Sequence, residues 1–489
     1  MENNTLCLIQ SKFIHDYGQK RETAAQYFPL GLEYISAYVK KKGYSVCLFD
    51  PNFQEINLED IAISVARETP LLVGISFMTP SFYYAKELCK TIKKHSPNTP
   101  IVLGGAHSSS LVEETLQEIP NADFVIFGEG EETTLELLEW VSRKGTQTQL
   151  SEIRGLASRN ENSIIQNPPR PPINDLDALP FPDRTLIDRT LYRTHSFLSY
   201  SNKTGSIHTA RGCPGRCIFC ASGHKLRTRL RYRSIANVME EIDLLVKEYD
   251  VEYLLIKDDT FTWKRSRVEE FCKELKIRHP SLKWHCMGRV DSVDYDLLKK
   301  MKDAGLNDIF LGIESGNKDV LKRSQKGITI EQAQKAVEAC AKLKISSYGG
   351  FIIGLPGDTR ETMEQTIQFA KSLPLTMAGF SVMIPYPGTK AFEDYYNIEQ
   401  NASVDYRKFN TAGTGVDFVE GYTGLEGVAV SELPGIVLNA NKRFYFRPIQ
   451  IIRMIRVAPL PELLGYIRGA FALLMKDIRS RFLRNYTPQ

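Results

Sequence analysis

Short apolar runs alternate with stretches of helical periodicity from the start of the chain to about residue 145. TLCLI, YSVCLFD, LLVGISF, PIVLGG and ADFVIFGEGE read as strands, because near-continuous apolar runs of that length suit a sheet buried on both faces. Between them GLEYISAYVKKKG, the period through Leu58, Ile61 and Val65, the stretch from Tyr84 to Lys94, the stretch from Leu111 and TTLELLEWV read as helices. This succession predicts an α/β, doubly wound, Rossmann-like domain over residues 1–145. Residues 146–200 lose the alternation and carry Pro168, Pro169, Pro171 and Pro172 around Arg170, which predicts a linker. The alternation returns over 201–390, where SIHTARG, VEYLLIK, LKWHCMG, NDIFLGIES, SSYGGFIIGL and MAGFSVMIP are separated by helical periods. Six parallel strand-helix units predict a partial, TIM-like (β/α)6 barrel. Residues 391–489 form a looser carboxyl-terminal segment, helical in pattern from Asn441.

Composition narrows the class. With 489 residues, 42% hydrophobic and 25% charged, the chain has material for several cores. Its 62 basic and 58 acidic residues leave a net charge of +4, so no overall field argues for nucleic acid. The imbalance is local: from Asn441 onward there are 10 Lys or Arg against Glu462 and Asp477. Interleaved with Phe444, Ile449, Ile451 and Ile452, these make a basic amphipathic stretch, read either as a helix packed on the barrel or as a peripheral contact with an anionic membrane. The amino terminus lacks the pattern of a secretory signal, and no 18-residue uncharged apolar run occurs, so a cytoplasmic location is expected.

Of the 9 cysteines, Cys213, Cys217 and Cys220 lie together on a glycine- and proline-containing loop after the first barrel strand. Thiolates are the ligands of iron-sulfur clusters, and a four-iron cube held by three of them keeps one iron open to a small chelating molecule. Zinc is the alternative, but it lacks a fourth ligand at finger spacing, His224 being the nearest candidate. The spacing of three residues and then two, with Phe219 before the last cysteine, resembles the signature of the radical S-adenosylmethionine (SAM) superfamily. That resemblance implies a 4Fe-4S cluster on these cysteines, with SAM chelating the open iron and cleaved to a 5'-deoxyadenosyl radical.

The same resemblance implies SAM contacts from Phe219, Asp258, Asp259, Arg289, Glu314, Ser315, Gly350 and Gly354. Asp258 could instead cap a helix, and Arg289 could instead form a surface ion pair. Asp358 stands where the family more often has glutamate, a small change if the carboxylate only caps the following helix.

A doubly wound sheet binds ligands beyond the carboxyl ends of its strands, and here those ends are rich in small residues. They resemble the cobalamin-binding domain that precedes the barrel in one branch of the superfamily. The implied cobalamin contacts are Leu30, Gly31, Ser76, Met78, Thr79, Gly104, Gly105, His107, Gly128, Glu129 and Gly130. The histidine motif that ligates cobalt in classical cobalamin proteins is absent, so His107 is read as a polar group near the corrin or as an exposed loop residue. Cys7, Cys47 and Cys89 raise a methylthiotransferase reading, which needs a second cluster, but their apolar settings read as core thiols.

The resemblance implies methylation of an unactivated carbon in a natural product or lipid-like substrate, with ferredoxin or flavodoxin as electron donor. Cyclisation, ring contraction and oxidation are alternatives within the family, and a non-catalytic cobalamin-binding scaffold is the alternative outside it. No residue is assigned as a final proton or hydrogen donor.

Overall fold

The computed structural model describes residues 4–12, 28–160, 163–188, 203–226, 228–396, 404–406, 409, 425 and 427–457. The amino-terminal sheet comprises β1 (Thr5–Gln10), β2 (Ser45–Phe49), β3 (Leu72–Ser76), β4 (Ile101–Gly104), β5 (Phe124–Ile126), β6 (Leu156–Asn160) and β7 (Ser163–Gln166). Its order is β2-β1-β3-β4-β5-β6-β7, with parallel pairing from β2 to β5. The order reverses between β1 and β3, the switch point at which such sheets open a crevice for ligands. Helices Leu58–Glu68, Phe82–His95 and Val112–Glu118 cover one face, and Leu30–Lys40 and Glu131–Arg143 cover the other. Burial on both faces explains why the strands read as apolar runs rather than as alternations.

The expected linker needs correction. β6 and β7 add antiparallel to β5, so the sheet extends past residue 145 to Gln166. Their apolar content is short, but Leu156 and Ala157 are fully buried, and that burial was enough to recruit them. The proline-rich stretch that follows is pinned rather than loose. Arg170 binds Glu132 (2.9 Å) and Glu136, and Asp183 binds Lys40 (2.6 Å) and the Ser36 hydroxyl (2.7 Å).

The second sheet holds β8 (Thr204–Ile207), β11 (Tyr253–Ile256), β12 (Lys283–Arg289), β13 (Leu306–Glu314), β14 (Ser346–Ile353) and β15 (Met377–Val382), all parallel, in the order β15-β14-β13-β12-β11-β8. This is the expected six-stranded partial barrel. The segment SIHTARG divides in two, because β9 (Ala210–Arg211) leaves the barrel to pair antiparallel with β10 (Arg231–Tyr232). Side chains on the outer face, such as Leu254, Trp284, Ile309 and Phe351, are sealed beneath the helices. Their neighbours on the inner face, His285, Met287, Arg289, Phe310, Tyr348 and Gly350, are only half-buried, so the barrel keeps an open interior.

Helix Leu433–Tyr445 packs Val437, Ala440 and Phe444 into the barrel core. Helix Pro448–Val457 follows, and the rest of the basic segment lies outside the described residues.

Candidate functional site

The carboxyl ends of the two sheets face each other across a cavity of about 380 Å³. From the amino-terminal domain, Gly31, Ser76, Gly104, Gly105, Gly128, Glu129 and Gly130 line it, with Leu8, Ile75, Val102 and Ile126 as an apolar floor. From the barrel come His208, Lys257 and Asp259 at the ends of β8 and β11, with Arg211 and Gly212 leading into the cysteine loop. Small residues at five strand or helix ends leave room for a large flat ligand. At Gly105, with φ +105°, an added Cβ would stand 2.4 Å from the Phe77 carbonyl oxygen, so the turn admits no side chain there.

The cysteine loop fits a cluster. Gly212 has φ +90°, and an added Cβ would stand 2.6 Å from the Thr228 hydroxyl. A Cβ at Gly215 would stand 3.3 Å from Cys213 Sγ and 3.8 Å from Cys217 Sγ, so the loop forms a cradle that a side chain would fill. Burial pushes the thiols of Cys213, Cys217 and Cys220 up, while Arg289 and Lys326 draw Cys213 and Cys217 back toward thiolate. Among the described residues no group of three or more His, Cys, Asp or Glu is gathered to hold a single metal ion. His224, the fourth zinc ligand considered above, lies 2.7 Å from Glu393 instead. Separate sulfurs on one loop suit the corners of a multi-iron cluster better than one tetrahedral ion.

The residues expected around SAM divide into two groups. Phe219, Arg289 and Glu314 are brought together by Lys326: its ammonium binds Glu314 and lies 6.0 Å over the Phe219 ring, and its carbonyl accepts from Arg289 at 2.7 Å. Arg289 also grips Asp291 through two nitrogens at 2.8 and 2.9 Å, the ion-pair alternative, while remaining close enough to influence the thiols. Asp259 faces the cavity, and Gly350 sits on the inner barrel face beside Phe310.

The other three are structural. Asp258 is buried and accepts from the Thr209 amide (2.7 Å), the Thr209 hydroxyl (2.5 Å) and the Ala210 amide (3.1 Å); it ties down the backbone before the cysteine loop instead of facing a ligand or capping a helix. Burial pushes its carboxyl up to about 6. Ser315 is occupied by Thr366 at 3.0 Å, and Gly354 by a turn in which Asp358 accepts from the Gly354 and Leu355 amides, both at 3.0 Å. Asp358 therefore does not cap the following helix Arg360–Ser372, whose cap is Thr359; its carboxylate closes the preceding turn and accepts from the Thr362 hydroxyl at 2.6 Å.

On the cobalamin side Leu30, Met78, Thr79 and His107 do not line the cavity. Leu30 belongs to the core and Met78 is exposed. His107 does not line the cavity and is not on an exposed loop: it is buried against Phe77, Phe82 and Tyr406, with Nδ1 3.0 Å from the Thr79 hydroxyl. Glu129 lines the cavity, but its carboxylate is held by Arg231 (2.8 Å) and the Ile173 amide (2.7 Å), a contact between domains. Cys7 and Cys89 are buried and Cys47 partly so, as core thiols should be.

Sequence reasoning missed His208 and Lys257. Burial and the neighbouring Arg211, Lys257, Arg184 and Arg233 lower the His208 imidazole to about 3, and burial lowers Lys257 to about 8. Their position one residue beyond a strand end, on a chain already read as a barrel, was the available signal.

Comparisons with known proteins agree with this geometry. The model of the radical SAM superfamily matches residues 207–370, and that of the B12 binding domain matches residues 20–138. A methyltransferase of Pyrococcus horikoshii, itself uncharacterized, is 32% identical, over 87% of this chain and 89% of its own. The anaerobic magnesium-protoporphyrin IX monomethyl ester cyclase of Cereibacter sphaeroides is 30% identical over 87% of this chain and 68% of its own. The fold matches that of the radical SAM methyltransferase TsrM from Kitasatospora setae, solved with cobalamin and a 4Fe-4S cluster bound. The TM-score is 0.66 at 18% identity, covering 81% of this chain and 75% of that one.

Proposed function

Because the chain belongs to the radical SAM enzymes that carry an amino-terminal B12 binding domain, we propose that it methylates an unactivated carbon of a natural product or lipid-like substrate. The observation that supports this reading is a cavity with glycine-rich strand ends on one wall and, on the other, His208, Lys257, Asp259 and Gly212, the residue directly before Cys213. The enzyme uses a 4Fe-4S cluster, SAM and cobalamin as cofactors.

In this reading Cys213, Cys217 and Cys220 hold the cluster, Phe219, Asp259, Arg289, Glu314 and Gly350 surround SAM, and Gly31, Ser76, Gly104, Gly105, Gly128 and Gly130 meet cobalamin. When bound, these groups supply a radical that removes a hydrogen atom from the substrate and a methyl group that replaces it. The protein's part is confinement and orientation. Arg211 pairs with Glu131 at 2.6 Å and Arg231 with Glu129 at 2.8 Å, closing the seam beside the cavity against water. His208 presents a neutral imidazole and Lys257 an ammonium that remains largely protonated at pH 7, so the barrel wall offers substrate both a neutral and a cationic hydrogen-bonding group.

The test is anaerobic expression with hydroxocobalamin, reconstitution with iron and sulfide, and assay of SAM turnover by wild type and Cys217→Ala. Wild type is expected to form both 5'-deoxyadenosine and S-adenosylhomocysteine, and the variant no deoxyadenosine. Deoxyadenosine without S-adenosylhomocysteine, in the presence of substrate, would replace methylation by the second reading, radical cyclisation, which the 30% identity to the cyclase favours. A fully loaded enzyme that forms neither product would support a scaffold.

Three finer assignments complete the proposal. An electron donor such as ferredoxin or flavodoxin reduces the cluster. The location is cytoplasmic, where free thiols such as Cys7, Cys89 and Cys340 persist; no helix among the described residues is long and apolar enough to cross a membrane. Helix Pro448–Val457 touches an anionic membrane surface, since Ile449, Ile451, Ile452 and Ile455 are exposed in a strongly basic segment.

A further inference from the structure

The cysteine loop has an inner and an outer side. On the inner side Gly212 borders the cavity, and the amino-terminal domain closes over it: Lys225 Nζ donates to the Ser110 carbonyl at 3.1 Å, and Arg211 pairs with Glu131. That side belongs to cofactors and substrate, and a cavity of about 380 Å³ admits no protein. An electron arriving on a carrier protein must therefore enter across the outer side.

There Arg216 is exposed at the tip of the loop, between Cys213 and Cys217. The Ile218 amide donates to the Ser324 carbonyl at 3.1 Å, which lays the short helix Lys318–Arg323 along the loop. The last turn of that helix presents exposed Lys322 and Arg323. Arg323 donates to the Gly357 carbonyl at 3.0 Å, but none of the three cations pairs with a carboxylate among the described residues. The single acidic residue of the helix, Asp319, lies at its opposite end. Elsewhere on the molecule exposed cations are commonly paired, as Lys318 is with Glu331, Arg265 with Asp294 and Lys299 with Asp303. These three positive charges beside the loop, of which Arg323 also acts on the buried Asp358 carboxyl, leave a local field that attracts an acidic partner and orients it with its own redox centre toward the cysteines.

We propose that Arg216, Lys322 and Arg323 form the docking surface for an acidic one-electron carrier protein of the flavodoxin type. The inference rests on the reading that the three cysteines hold the cluster. The flavin hydroquinone anion of the carrier loses one electron to become the neutral semiquinone, the cluster gains that electron, and no bond forms or breaks. Because the surface is solvent-exposed, its contribution is to encounter rate and is screened by salt.

The experiment uses reconstituted full-length enzyme mixed anaerobically with flavodoxin hydroquinone in a stopped-flow spectrometer, following semiquinone formation. Iron content and cluster absorbance are measured first on every sample, so that cluster loading is judged separately from docking. Dithionite, a small reductant with no protein surface to match, is the parallel donor. Lys322→Glu/Arg323→Gln should lower the second-order rate constant with flavodoxin by roughly tenfold or more, while leaving the dithionite rate unchanged. The wild-type flavodoxin rate should fall steeply as ionic strength rises, a dependence flattened in the variant. Lys247→Glu, on the distant helix Ile235–Tyr249, should leave the flavodoxin rate at the wild-type value. If the charge reversal misfolds, Lys322→Gln/Arg323→Gln should show the same separation of the two donors at smaller amplitude. The proposal is overturned if fully loaded variants accept electrons from flavodoxin at the wild-type rate, or if Lys247→Glu slows flavodoxin as much as they do.

Discussion

The imidazole of His107 is enclosed by Phe77, Phe82 and Tyr406, and burial lowers it to about 3. Its folded-state pKa lies below the unfolded value of about 6.5, so the unfolded chain binds the proton first. The stability from the neutral ring is complete above pH of about 6.5 and is lost as pH falls toward 3, at up to about 1.4 kcal/mol per pH unit. Asp258, raised to about 6 by burial, acts in the opposite sense between about pH 4 and 6, so wild type must be compared with a variant. His107→Leu is expected to lower the melting temperature at pH 7 and to narrow its gap to wild type as pH falls to 4; a gap constant with pH would show that the ring does not titrate as described. His107 and Asp258 both stand at strand ends, where sequence reasoning assigns polar groups to ligands. That rule gives position but not direction. Whether a side chain turns toward the cavity, as Asp259 does, or back onto Thr209, as Asp258 does, depends on backbone partners far apart in sequence.

At the scale of elements, the strands of both sheets and the cysteine loop were legible because each carries a local signal: apolar runs broken by helical periods, and a fixed thiol spacing. β6 and β7 were not, since short polar-ended strands at a sheet edge carry little periodicity and owe their state to pairing with β5. The basic carboxyl-terminal pattern fitted two environments, and the structure shows one helix packed on the barrel and one with an exposed apolar face. Leu433–Tyr445 buries Phe444 against β15, whereas Pro448–Val457 leaves Ile449 and Ile455 about half exposed, at 51% and 52%. Exposed isoleucines of this number are unusual on a solvated helix. The enzyme is expected to sediment with vesicles containing phosphatidylserine at low salt, and Ile451→Asp/Ile455→Asp to reduce the bound fraction by more than half. Equal sedimentation of both proteins would remove the membrane assignment from this helix.

At the scale of the whole molecule, two domains are locked together by buried charge. Arg184 is 1% exposed and pairs with Glu33 at 2.6 Å and Glu241 at 2.8 Å, both carboxylates 0% exposed, and also donates to the Ser206 carbonyl at 2.7 Å. One guanidinium from the connecting segment thus joins the first helix of the cobalamin domain to a strand and a helix of the barrel. Removing it strands buried carboxylates, which costs about 3–5 kcal/mol in comparable pairs. Arg184→Met is expected to lower the melting temperature sharply. Adding Glu33→Met should restore much of the loss, because Glu241 keeps Arg233. The lock matters for function, since it holds the glycine-rich strand ends opposite the cysteine loop.

The central proposal builds on that arrangement: cobalamin lies against the glycine-rich wall of the cavity and the cluster beside its opposite wall, next to Gly212. Electron paramagnetic resonance of enzyme loaded with both, with cobalamin as cob(II)alamin and the cluster reduced, measures their proximity without knowledge of the substrate. Two paramagnets sharing the cavity should broaden or split each other's signals, relative to samples carrying either one alone. A spectrum of the doubly loaded enzyme that is the simple sum of the two separate spectra, at full occupancy of both, would contradict the account.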